Sequence, residues 1–191
     1  TGVQLIKNTA HTGLYSLKTP TTANNGSFAN VYSQPLTVMS QATYNTTNQP
    51  TANRDYFSFL LRSGKKYILS YWVKNVSSAN NNITKYTLPT SSVKVNSTNY
   101  PTKQTSNLID GWQQVECQFA VSNYSDVVTL MLPLGVNVDD IRIFPVDANM
   151  KSFVYNPVSE KLMATLDENN YATFYEYDQE GNLVRTKRET E

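Results

Sequence analysis

Most structured stretches of this chain alternate apolar and polar residues with period two, and no segment shows a convincing helical period. Alternation of that kind gives a strand one face for a core and one for water or a cover. Tyr67-Ile68-Leu69-Ser70-Tyr71-Trp72-Val73-Lys74 puts Tyr67, Leu69, Tyr71 and Val73 on one face. Ile68, Ser70, Trp72 and Lys74 take the other. The run from Trp112 to Val121 puts Val115, Cys117, Phe119 and Val121 opposite Gln114, Glu116 and Gln118. Residues 127–134 and 138–144 read as further strands, and residues 14–19, 27–33 and 91–96 as weaker ones. Arg62-Ser63-Gly64-Lys65 carries a hairpin signal between two such runs. Residues 41–54 and 77–85 have the polar composition of exposed connections. The expectation is an all-β fold, an antiparallel β-sandwich of the jelly-roll kind over residues 1–147.

Composition agrees and narrows the function classes. Of 191 residues only 16% are charged, and neutral polar residues fill the difference, with 22 Thr, 21 Asn and 17 Ser. A net charge of +1 leaves no global field to attract nucleic acid or an anionic membrane. No stretch approaches the roughly 20 apolar residues of a membrane span, so membrane insertion is not expected. The single cysteine, Cys117, excludes a disulfide within the chain and reads as a small buried hydrophobe. The lone His11 cannot belong to a two-histidine metal site. A chain beginning at Thr1 and ending in a charged, open run reads as a piece of a longer polypeptide.

Charge is unevenly placed: 13 of the 31 charged residues fall in residues 150–191. That shift sets a boundary at residues 147–150, with a second segment over 148–191. The segment repeats itself. Phe153 to Leu162 superposes on Tyr175 to Leu183 with a shift of 22, Phe153 on Tyr175, Tyr155 on Tyr177 and Asn156 on Asp178, and after one inserted residue Leu162 matches Leu183. Each unit reads strand–turn–strand, so a β-hairpin extension is expected, of the kind that stacks into longer arrays.

Catalysis finds few of its usual parts. Residues 1–110 offer only Asp55 and Asp110 as carboxylates, and the acids of residues 111–147 are scattered. A glycosidase needs two carboxylates at a set separation, one of them with a raised pKa. No nucleophile elbow, phosphate loop or dinucleotide fingerprint occurs. The chain is therefore read as not an enzyme, with a polysaccharide-degrading enzyme as the alternative of another class.

Tyr175, Tyr177, Asp178, Gly181, Asn182 and Leu183 resemble the signature of the YD-repeat (Rhs) family. The first unit departs from it, with Asn156-Pro157 in place of the aspartate and Glu160-Lys161 in place of the glycine turn. The resemblance implies a large secreted or cell-surface bacterial protein, with downstream YD repeats of the same polypeptide as partners. Residues His11 to Lys18, Gly64 to Asn75, Gly111 to Phe119 and Val138 to Pro145 resemble, in that order, galactose-binding-like jelly-rolls of the carbohydrate-binding-module type. Many such domains bind glycans and many are spacers.

Two sites follow as expectations. Trp72 beside Lys74, with Gln114, Glu116 and Gln118 on a similar polar face, suits a shallow carbohydrate-binding platform, the indole stacking on a sugar ring. The competing reading has a loop, such as residues 41–55, covering Trp72. Asp139 and Asp140 open the last sandwich strand, where the jelly-roll resemblance implies help in holding a structural calcium ion. The competing reading there is an aspartate pair that caps a turn. Trp112, after Asp110-Gly111, reads as an anchor at the edge of the core. The runner-up function is a purely structural spacer or cap for the repeat assembly.

Overall fold

The structure, a computed structural model, describes residues 3–21, 31–36, 38–39, 61–75, 85–88, 90–123 and 125–189. In chain order the strands are β1 (Gln4–Lys7), β2 (Tyr15–Lys18), β3 (Val31–Leu36), β4 (Val38–Met39) and β5 (Leu61–Arg62). Next come β6 (Lys65–Asn75), β7 (Ser91–Val95), β8 (Thr98–Pro101), β9 (Lys103–Gln104), β10 (Gln113–Val121), β11 (Val128–Pro133) and β12 (Val136–Pro145). The C-terminal part holds β13 (Ser152–Tyr155), β14 (Leu162–Leu166), β15 (Ala172–Tyr177) and β16 (Leu183–Arg188). The described residues contain no helix.

A six-stranded antiparallel sheet, β1-β2-β12-β6-β10-β9, packs on a four-stranded antiparallel sheet, β3-β11-β7-β8. Between them lie the apolar faces read from the alternation: Tyr67, Leu69, Tyr71 and Val73 of β6, and Val115, Cys117, Phe119 and Val121 of β10. Val93, Val95, Val128, Leu130 and Leu132 close the core from the second sheet. Each such side chain, taken fully out of water, stabilises the fold by roughly 1.5–3 kcal/mol. Tyr71 stays buried without an orphaned hydroxyl because its oxygen lies 3.0 Å from Ser92 Oγ. Burial pushes the Cys117 thiol up to about 11, which leaves it protonated and packing as a hydrophobe.

Ser63-Gly64 does turn, and β5 pairs in parallel with β4; residues 55–60, most of the first run of the expected hairpin, lie outside the described residues. The Gly64 N–H donates to the Val121 carbonyl, tying the turn to the end of β10, the strand beside β6. Asp110 and Gly111, at φ 50 and 79, make the two-residue turn that suits a right-handed strand twist. Ile109 and Trp112 exchange backbone hydrogen bonds of 2.8 Å across it.

Strand β12 is broken by a bulge. Asp139 pairs with Trp72 and Arg142 with Ser70, so Asp140 and Ile141 together stand opposite Tyr71. Asp140 takes the left-handed conformation, φ 48, that aspartate tolerates better than most residues. The extra residue changes the strand's phase. Val136 and Val138 face the core before it, Ile141 and Ile143 after it.

The repeat units each form one hairpin, β13–β14 and β15–β16, and join through β14 and β15 into one four-stranded antiparallel sheet. Their geometry repeats with the sequence. Bulges fall at Val154/Tyr155 and at Glu176/Tyr177, 22 residues apart. Asn156 Oδ1 accepts from the Val158 and Ser159 N–H groups, and Asp178 Oδ1 accepts from Asn182 N–H. An Asx side chain thus starts both turns. The sheet lies against the sandwich where Gly13, at φ 70, leaves room for Val154; a Cβ there would sit 2.9 Å from Val154 Cγ1.

Candidate functional site

Strand register assembles the outer face of the six-stranded sheet into rows. Gln114, Trp72 and Asp139 are directly opposed across β10, β6 and β12. Glu116, Ser70 and Arg142 form the next row, and Gln118, Ile68 and Phe144 the one after. The residues singled out on β6 and β10 therefore do share a sheet and a face.

That face is not an open platform. Trp72 and Gln114 are 0% and 1% exposed, because the turn between β14 and β15, Asp167 to Tyr171, sits on them. Trp72 Nε1 donates to the Asn170 carbonyl at 2.8 Å, and the Tyr171 ring meets the indole edge-on at 5.7 Å. Gln114 Nε2 donates to the Asn169 carbonyl. The expectation of an exposed indole is corrected: the C-terminal sheet supplies the cover, and residues 41–55, the alternative cover, lie outside the described residues. Lys74 is half-buried and turned aside, its Nζ donating to the Asp110 carbonyl and lying 5.7 Å over the Trp112 ring. Glu116 is half-buried and Gln118 exposed. Trp112 is buried, as an anchor should be.

The covering turn owes its shape to its own side chains. Asp167 Oδ1 accepts from the Asn169 and Tyr171 N–H groups at 3.0 Å each. Asn170 takes the left-handed φ of 67 that Asn accepts most readily among non-glycine residues. The buried Asn170 amide then faces the sandwich. Its Nδ2 donates to Ser70 Oγ and to the Asp140 carbonyl, and its Oδ1 accepts from Arg142 Nη1 at 2.8 Å. Arg142 also donates to the Asp167 carbonyl at 2.7 Å and to the Met150 carbonyl. Burial holds its pKa below the ordinary guanidinium value. One cation thus ties three points of the C-terminal segment to β12.

At the other side of Trp72 stands His11, at the tip of the loop between β1 and β2. Its ring stacks on the indole at 4.1 Å with planes 16° apart, and meets the edges of Trp112 and Phe174. Nδ1 lies 2.7 Å from Asp140 Oδ2, and Nε2 lies 2.7 Å from Glu189 Oε1. Glu189, just after β16, also accepts from Ala172 N–H at 2.7 Å through Oε2. Burial alone would lower the His11 pKa, but the hydrogen bonds and charges of Asp140 and Glu189 outweigh it and raise the value to about 9. Burial, and then the charge of Asp140, push the Asp139 carboxyl above its ordinary range.

The aspartate pair does not fit calcium. Asp139 Oδ1 accepts from Asp140 N–H, and Asp139 Oδ2 from the His11 and Thr12 N–H groups. Asp140 Oδ1 accepts from Thr12 Oγ1 at 2.6 Å, and Oδ2 faces His11. All four carboxylate oxygens already point at N–H or O–H groups, whereas calcium wants six to eight oxygens aimed at itself. The turn-cap reading of Asp139 is the one that matches these bonds.

Sequence reasoning missed His11, Arg142, Asn170 and Glu189. A signal for one of them was present: His11, in the first of the four jelly-roll-like segments, and the aspartate pair, in the last, are the two halves of one contact. Arg142, Asn170 and Glu189 had none, since Arg142 faces outward only through the bulge, and the side chains of Asn170 and Glu189 meet Ser70 and His11 across 100 and 178 residues of chain. No protein-family model matches the chain, and no curated protein sequence matches it.

Proposed function

We propose that the chain is a non-catalytic structural module of a large secreted or cell-surface bacterial repeat protein. In this reading the sandwich is the base, and the C-terminal sheet, taken as the start of a YD-repeat-like array, is fixed to it in one orientation. The observation that carries it is the cover over Trp72. The indole a sugar would stack on is instead bonded to the Asn170 carbonyl and packed between His11 and Tyr171. A ladder of buried polar bonds from Gln114 to Glu189 specifies one docking geometry, as directional contacts do and apolar contact does not.

The polysaccharide-degrading alternative would need two carboxylates with room for a sugar between them. Asp140 and Glu189 do face each other, but the His11 ring fills the space between them. A test separates the structural and glycan-binding readings. Trp72→Ala should cost about 3–5 kcal/mol, as loss of a buried aromatic does, measured by urea unfolding. The unaltered chain should not be retained on a glycan array. Retention that disappears with Trp72→Ala at unchanged stability would reverse the assignment.

A further inference from the structure

The acidic cluster at the sandwich–sheet interface holds three carboxylates about His11: Asp140 and Glu189 on the two ring nitrogens, and Asp139 on the backbone N–H. A neutral imidazole has one N–H and one lone pair. Here both ring nitrogens stand 2.7 Å from carboxylate oxygens, so a neutral ring would aim a lone pair at one of the two carboxylates. Two such contacts are satisfied together when both nitrogens donate. The flat stacking of the ring on Trp72 is likewise favourable for a cation over an indole face. The other charges nearby are engaged elsewhere: the Arg142 guanidinium by Asn170 and the carbonyls of Asp167 and Met150, and Lys74 Nζ by the Asp110 carbonyl.

We infer that the imidazolium of His11 is itself the cation of this acidic site, in place of the metal ion such a cluster suggests, and that it clasps the C-terminal sheet to the sandwich. Asp140 is the sandwich half of the clasp and Glu189 the sheet half. Because Glu189 also holds the Ala172 N–H, closing the clasp fixes the paired ends of β15 and β16 as well.

The chain has one histidine, so its ring signals need no assignment. Nitrogen-15 NMR of the full chain at neutral pH should show both ring nitrogens protonated, and a neutral tautomer would overturn the inference. Millimolar calcium, compared with a chelator, should move neither those signals nor the melting temperature. A rise in melting temperature with displaced ring signals would restore the metal reading. Glu189→Gln should lower hydrogen-exchange protection of β15 and β16 amides about tenfold to a hundredfold, the range of a charge-assisted hydrogen bond. His11→Gln should do the same, and the double variant should lose no more than either alone. Full additivity in that cycle would show that the two side chains do not act as one clasp. Glu176→Gln, which breaks only exposed pairs with Arg185 and Lys187, is the control that should change little.

Discussion

The middle of the six-stranded sheet, around Ser70 and Trp72, is covered on both faces, by different chemistry on each. Inward, β6 and β10 present Tyr67, Leu69, Tyr71, Val73, Val115, Cys117, Phe119 and Val121 to the second sheet. Outward, the same two strands and β12 present Ser70, Trp72, Gln114, Asp139, Asp140 and Arg142 to the C-terminal sheet and the His11 loop. Apolar burial is non-directional, so the inner face tolerates many sequences of about the right volume. The outer interface depends on named donors meeting named acceptors, and each partner lost leaves a buried polar group unsatisfied. The inner face provides bulk stability. The outer one specifies how the second sheet sits.

If that contrast holds, substitutions on the two faces must fail differently. Leu69→Ala should remove about 2–5 kcal/mol by transfer and cavity terms. The loss should appear as a lowered urea midpoint and weaker hydrogen-exchange protection throughout the sandwich. Arg142→Met, on the outer face, should cost about 3 kcal/mol, since Asn170 Oδ1 and two carbonyls lose their donor. Its signature should be lost protection in β13–β16 while the β6 and β10 amides stay protected. Equal loss in both parts would mean that the interfaces unfold as one unit and would break the comparison.

Protonation gives a smaller and reversible version of the same separation. The His11 pKa rises from the ordinary 6.5 to about 9 in the docked state, so the docked state holds this proton more tightly than the undocked one. The resulting stabilisation is complete below about pH 6.5, declines above it, and is gone once pH passes about 9. For a ring buried on both sides it amounts to something on the order of 2–3 kcal/mol. Hydrogen exchange at matched intrinsic rates should show β13–β16 loosening from neutral to alkaline pH before the sandwich does. His11→Gln should flatten that dependence. The smallest effect belongs to the uncovered end of the outer face: Gln118→Ala should change stability by less than about 0.5 kcal/mol.

Period-two alternation assigned the inner faces of β6 and β10 residue by residue, because burial against an apolar layer leaves its mark in local composition. The 22-residue match likewise anticipated a strand–turn–strand hairpin for each unit, since turn chemistry is local; the corresponding bulges at Val154/Tyr155 and Glu176/Tyr177 came only with the structure. What covers the outer face left no such local mark. Trp72 among polar neighbours looks the same in sequence whether water, a sugar or Asn170 covers it.

Local chemistry, then, determined the all-β class, the core-facing residues and the shape of the repeat unit, each written within a few neighbouring positions. Tertiary structure decided what lies over Trp72, which way Arg142 points and what His11 touches. A single bulge at Asp140 set the phase of β12, and contacts spanning 98 residues from Trp72 to Asn170 and 178 from His11 to Glu189 closed the interface. Contacts over such separations depend on where whole sheets come to rest, which no local pattern encodes.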